Sequence, residues 1–158
     1  MPLEQVIKKH AVKDSMSLKQ ELLDDLLGSM DSGIAIFNKD THLGNFNVAF
    51  SKLWKLSETW LNEGPSLSEI FQQLRNDRKL MEVTDFRKFC NEELSLFNHL
   101  NSRIQRLIHL PDGRTFQSTV MPTSLGGLIY IYDDLTDTLQ LQRSKKSIEA
   151  VQRHTIDN

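Results

Sequence analysis

The run Gly126-Gly127-Leu128-Ile129-Tyr130-Ile131-Tyr132 sets five consecutive apolar or aromatic residues behind a glycine pair and ahead of Asp133-Asp134. So dense a β-branched and aromatic run has the character of a strand buried in the middle of a sheet. After Asp134 the pattern turns polar and helical, with Leu139, Leu141, Ile148 and Val151 as its main apolar positions. Leu141 and Ile148 lie seven apart, as do Ser144 and Val151, the spacing of a short coiled-coil seam.

Just upstream the alternation is again that of strands. Arg103 to Leu110 carries Ile104, Leu107 and Ile108, Pro111-Asp112-Gly113 is a turn, and Arg114 to Met121 alternates through Phe116, Ser118 and Val120. Near the other end, Gly33-Ile34-Ala35-Ile36-Phe37 reads as a strand, Asn38-Lys39-Asp40 as a tight turn and Thr41 to Phe46 as the hairpin partner.

The two strand groups are separated by helical spacing. Val48, Phe50, Leu53 and Trp54 predict a short helix capped by Asn47, and Ser57 to Leu61 a second one. After the break at Gly64-Pro65, Ser66 to Leu80 is helical through Leu67, Ile70, Phe71 and Leu74. Thr84 to Leu100 follows as a longer helix that buries Phe86, Phe89, Cys90, Leu94 and Phe97. Ahead of the first strand, Leu18, Leu22, Leu23, Leu26 and Leu27 form an amphipathic helix with Ser17 as N-cap, Gln20 three residues on and Gly28 as its stop. The sum is an α+β fold: a five-stranded antiparallel sheet with helices on one face, flanked by N-terminal and C-terminal helices. Residues 1–16 are an N-terminal extension, 17–137 the domain, and 138–158 a connecting helix.

Composition narrows the function classes. At 158 residues, 39% hydrophobic and 25% charged, the chain has the size and make-up of one globular domain with extensions. Nineteen basic against twenty-one acidic residues leave a net charge of −2, with no basic excess to mark a nucleic-acid surface. The lone cysteine, Cys90, cannot form an internal disulfide, and the apolar runs are too short for a membrane span, so a cytoplasmic location is expected.

In this order and spacing four stretches resemble a PAS domain, over roughly residues 17 to 137. Gly33 to Asn38 resembles the opening strand of that family. Phe46-Asn47-Val48-Ala49-Phe50 resembles its Asn-x-Ala-Phe segment, and Pro111-Asp112-Gly113-Arg114 its late hairpin turn. Asp134-Leu135-Thr136-Asp137 is similar to the junction from which such domains pass into an output helix. The flavour is that of PAS modules in alphaproteobacterial sensor histidine kinases. The ending Thr155-Ile156-Asp157-Asn158 resembles the run-up to another such module, which implies a segment of a longer protein with a covalently linked output or second sensory domain.

No catalytic constellation is present in the sequence. The five histidines, His10, His42, His99, His109 and His154, are scattered, with none at i, i+4 from another His or Cys, and no phosphate loop or serine elbow occurs. His154 is followed by Thr155 rather than by the acidic residue usual after a phosphoacceptor histidine. Cys90, in Lys88-Phe89-Cys90-Asn91-Glu92, lacks the context of a flavin-linked photoactive cysteine and reads as a small buried hydrophobe. Haem has one candidate ligand, His99, at a helix end where a polar residue favours the dipole. Neither cofactor is required.

The resemblance places ligands between sheet and helices, and Phe37, Phe46, Phe50, Trp54, Phe71 and Phe116 are the candidate lining of a pocket for a small apolar ligand. The same aromatics could instead fill a core. Signal transfer is expected at Asp134, paired with Arg114, and at Leu135, Thr136 and Asp137, with Leu135 on the sheet edge and Thr136 or Asp137 capping the outgoing helix. Leu18, Leu22 and Leu26 are the candidate homodimer contacts. The expected function is a dimeric sensory module that passes a ligand- or partner-induced change to its output helix. The alternatives are a protein–protein interaction module with no small-molecule ligand and, behind it, a haem or flavin redox sensor.

Overall fold

Asn47 shows how local sequence positions the first layer of the structure. In the computed structural model, which describes residues 31–157 and side chains as far as Ile148, strand β1 (Gly33–Phe37) turns through Asn38 into β2 (Leu43–Phe46). The Asn38 side-chain oxygen accepts from the amides of Asp40 and His42 and closes that turn. Helix α1 (Val48–Trp54) starts at once. Its cap, Asn47, accepts from the Phe50 amide at 3.0 Å and from the Ile34 amide at 2.9 Å. The Asn47 amide group donates to the Ser32 carbonyl at 2.7 Å, so one buried side chain fastens the helix to β1.

Helix α2 (Glu58–Asn62) is capped by Ser57, and α3 (Leu67–Asn76) opens with a reciprocal capping box between Ser66 and Glu69. The helical spacing predicted to reach Leu80 ends at Asn76. Arg78 takes a left-handed φ of 57°, and Lys79 and Leu80 turn their amides back onto the Leu74 carbonyl, which drops Leu80 into the core. Helix α4 (Phe86–His99) is capped by Asp85.

The chain then returns to the sheet as β3 (Ile104–His109), β4 (Thr115–Pro122) and β5 (Leu128–Asp134), and leaves as helix α5 (Thr136–Asp157). The strand order is β2-β1-β5-β4-β3, all antiparallel, so the run from Leu128 is the central strand as its composition requires. Gly127 is obligatory at its entry. A Cβ there would stand 2.0 Å from the Phe37 carbonyl oxygen of the neighbouring strand.

Alternation divides the sheet into two faces. Ala35, Phe37, Phe116, Val120, Leu128, Tyr130 and Tyr132 join Phe50, Trp54, Leu67, Ile70 and Leu74 from the helices in one core. Trp54 meets Phe116 and Tyr132 edge-on at 5.2 Å each. On the opposite face Ile34 pairs with Ile131 and Ile131 with Thr119, and Ile36 pairs with Ile129 and Ile129 with Met121, in two rows across three strands. In β3 the inward residues are Ile104, Arg106 and Ile108, while Leu107 points outward and is 55% exposed. A strict period of two therefore puts Arg106, and not its apolar neighbour Leu107, on the helix side.

Candidate functional site

The apolar stripe of α4 contains one acidic residue. Phe86, Phe89, Cys90, Leu96 and Phe97 are partly buried against the core, and Glu93, at helical spacing between them, is the one buried residue of the helix. Leu94, predicted on this side, is half-buried as they are but is not among the residues packed against the core.

The carboxylate of Glu93 is saturated with donors. Arg106 reaches it from β3 as a fork, Nη1 donating to Oε1 in a short bond and Nη2 to Oε2 at 3.2 Å. The Tyr130 hydroxyl, from β5, donates to Oε2 at 2.7 Å. Among the described side chains, the buried nitrogen that finds no partner is Nε of Arg106. Burial works against the guanidinium charge, but the bonds and negative charge of Glu93 outweigh it and hold its pKa above the ordinary value.

The two tyrosines respond in the opposite sense. Burial, and then the Glu93 charge beside it, push the Tyr130 hydroxyl well above its usual pKa. The same causes in the same order raise Tyr132, which stands opposite Ser118 in the β4–β5 register. Both phenols are neutral at physiological pH, and the Glu93–Arg106 pair sums to zero charge.

Around this cluster lies a cavity of about 120 Å³ between sheet and helices. Trp54, Phe71, Leu80 and Phe89 supply apolar wall, and Glu93 and Arg106 supply polar wall. Of the sequence-predicted ligand residues, Trp54 and Phe71 line it. Phe37, Phe46, Phe50 and Phe116 are not among its lining residues. Phe37 packs edge-on against Tyr130 at 5.6 Å, Phe50 lies 6.1 Å from Tyr132, Phe46 sits 6.5 Å from Phe50, and Phe116 backs Trp54. Sequence reasoning missed Glu93, Arg106, Ser118 and both tyrosines as a group. The available signals were a carboxylate on an apolar helix stripe and an arginine between two inward isoleucines.

The predicted pair of Arg114 with Asp134 does not form. The β4–β5 register sets Asp134 opposite Phe116, two residues from Arg114. Arg114 turns back instead, its Nε donating to Asp112 at 2.7 Å and its Nη1 to the Leu53 carbonyl at 2.7 Å, with its guanidinium over the Phe116 ring. Asp134 accepts from the amide and hydroxyl of Thr136. Neither Thr136 nor Asp137 takes the cap position, because the helix begins at Thr136 and the Leu135 carbonyl accepts from the Leu139 amide. The half-buried Leu135 donates its amide to the Thr115 carbonyl at 2.9 Å, and the Thr115 amide donates to the Thr136 hydroxyl at 2.9 Å. Asp137 is exposed in the first turn of α5.

The dimer residues Leu18, Leu22 and Leu26 lie outside the described residues. His99 is exposed, with Nδ1 at 2.9 Å from the Ser95 carbonyl of its own helix. Among the described residues no group of three or more His, Cys, Asp or Glu is placed to hold a metal ion, and no helix is long and apolar enough to cross a membrane.

A family model described as PAS fold matches residues 27–143. The chain belongs to the PAS family. This PAS domain is 34% identical over 146 residues to sensor protein DivL of Caulobacter vibrioides, across 92% of its own length and 19% of that protein's. It therefore spans about a fifth of the curated relative. The solved PAS domain of Bordetella pertussis BvgS superposes with a TM-score of 0.58 at 17% identity, over 84% of this chain and 98% of that one. A PAS domain from Colwellia psychrerythraea gives 0.50 at 17% identity, over 76% and 98%. At such identities these two share the fold.

Proposed function

We propose that this PAS domain is a cytoplasmic, dimeric sensory relay of a sensor histidine kinase, in which a small ligand or partner shifts the sheet and the shift passes to α5. The observation that carries the reading is the continuity of β5. Its inward tyrosines reach the Glu93 cavity, and its far end runs through Asp134 and Leu135 into α5 with no slack, held to β4 at Thr115. A ligand that binds one arrangement of the cavity better than another would bias that strand and the helix fastened to it. Kinship with sensor protein DivL supports a parent protein with further domains, where any catalysis would reside. The leucines at 18, 22 and 26 would supply the dimer seam.

Native mass spectrometry of the freshly purified chain at several concentrations tests the dimer and the ligand together. A dimer with a reproducible added mass is expected. A monomer at every concentration would remove the dimer from the reading. For the relay, Tyr130→Phe should change hydrogen exchange at the Leu139 amide, and unchanged protection there would sink the coupling.

A further inference from the structure

The sheet ends in two outer strands, and they are finished differently. β2 is four residues long, its register with β1 shifts between Ile36 and Phe37, and its start is covered from outside. There the Leu43 amide donates to the Pro65 carbonyl at 2.9 Å, the Leu67 amide to the Thr41 carbonyl at 2.9 Å, and His42 bridges to Ser66. Each of these features discourages a further strand from adding. β3 has none of them. It runs for six residues without proline or register shift, and its one charged residue, Arg106, is turned inward and paired with Glu93.

The free edge of β3 can be assigned residue by residue. The Leu110 amide donates to the Arg114 carbonyl, and in an antiparallel ladder bonded pairs alternate with unbonded ones. Ile104, Arg106 and Ile108 therefore engage Val120, Ser118 and Phe116 of β4 through their backbones. Gln105, Leu107 and His109 aim their backbone groups away from the sheet, where no described residue hydrogen-bonds them. The side chains of all three are exposed and uncharged. Arg103, just ahead of this edge, is exposed and has no ion-pair partner among the described residues. Glu82, equally exposed and unpaired, lines the groove beside Leu107, His109 and Pro111 toward the other end. Free charges of opposite sign thus flank one neutral edge, a pattern complementary to its own reverse.

We infer that β3 pairs antiparallel with β3 of a second copy of this chain, about a two-fold axis at Leu107, and joins the two sheets edge to edge. Leu107 faces its own counterpart, Gln105 faces the partner's His109, and each facing pair exchanges both backbone bonds. Arg103 of each copy comes beside the partner's Glu82. This interface is separate from the leucine seam at residues 18, 22 and 26 and does not depend on it.

Hydrogen exchange of the whole chain, read at single amides from micromolar to millimolar concentration, tests the pairing. Protection at Gln105, Leu107 and His109 should rise with concentration, while Ile104, Arg106 and Ile108 stay protected throughout. Leu107→Lys opposes two ammonium groups at the axis and should abolish the rise. Arg103→Glu should weaken the association about tenfold, because the symmetry repeats the contact, and adding Glu82→Arg should restore it. Should a variant fail to fold, the three amides of the unmodified chain decide alone. Free exchange at those amides at every concentration would overturn the pairing, even in a chain held dimeric by its leucines. Protection already complete in the monomer would put a segment of the same chain on the edge and overturn it equally. Failure of the leucine seam would leave the concentration-dependent rise in place, so the two readings fall separately.

Discussion

The hydroxyl of Tyr130 donates to Oε2 of Glu93 at 2.7 Å, which ties the central strand to α4 across the cavity. The two residues are 37 positions apart in the chain, and the contact is buried. Tyr130→Phe keeps the ring against Phe37 and deletes this one bond. A loss of about 1–2 kcal/mol is expected in urea unfolding, with an unchanged m value, since Arg106 still holds the carboxylate.

Glu93 and Arg106 should behave asymmetrically when mutated singly and together. Breaking a fully buried pair costs ~3–5 kcal/mol, and because the Arg106 side chain is 39% exposed, about half that is expected for Glu93→Ala. The double variant Glu93→Leu with Arg106→Met replaces both charges by apolar volume and should melt above the single variant. A double variant less stable than Glu93→Ala would show that the pair contributes more than its own compensation.

Alkaline pH gives a direct optical test. The chain has two tyrosines, Tyr130 and Tyr132, and both have pKa values raised in the folded state above the usual value near 10. Below pH 10 both states hold their phenolic protons, so the stability that burial of the neutral phenols confers is fully present. Above it the unfolded chain ionises first, and stability is lost as pH rises toward the folded values. Phenolate absorbance should therefore be missing from the native protein just above pH 10 and should appear together with unfolding. Free titration of either ring while the near-ultraviolet circular dichroism stays native would contradict their burial.

Gly127→Ala should be among the most damaging single changes. Its methyl group would overlap the Phe37 carbonyl, a backbone atom that cannot swing aside, and β1 would have to separate from β5. A cost of about 3 kcal/mol, the upper end for overpacking, is expected from thermal melting.

At the outgoing helix, Asp134→Ala removes the acceptor for both groups of Thr136. About 1 kcal/mol of stability should be lost, with faster hydrogen exchange concentrated at Thr136 and the Leu139 amide. Exchange that rises evenly over the whole sheet would argue against a local tether.

The strands and caps were legible because each is specified locally. A glycine ahead of an apolar run, Asn47 before a helix, and Ser66 with Glu69 are short-range patterns with their own hydrogen bonds. The polar centre of the cavity was not legible in that way. Glu93 sits beside Glu92 in an ordinary charged stretch, and Arg106 is flanked by Gln105. Each is costly to bury alone and acceptable only with the other, so their burial follows from a pairing of α4 with β3 that neither segment encodes. Of the candidate aromatics Phe37, Phe50, Trp54, Phe71 and Phe116 are buried and Phe46 is half-buried, yet burial does not say which rings border a space: Phe116 is fully buried but is not one of the cavity's lining residues, whereas Trp54 is. The Arg114–Asp134 error had a similar source. Opposite charges near a hairpin suggested a bridge, but β4–β5 register offsets them by two residues, and Asp112 in the same turn lay nearer.

The strand order carries a consequence for synthesis. β5 is the last strand to be made, yet it occupies the centre, between β1 and β4. A nascent chain that has emerged only as far as β4 holds two hairpins, β1 with β2 and β3 with β4, each with an open edge and no common sheet. The domain can close only when residues 128–134 leave the ribosome, and α5 emerges directly behind them. Assembly of the sheet and birth of its outgoing helix are thus nearly one event, and the helix is made onto a domain that has only just acquired its central strand.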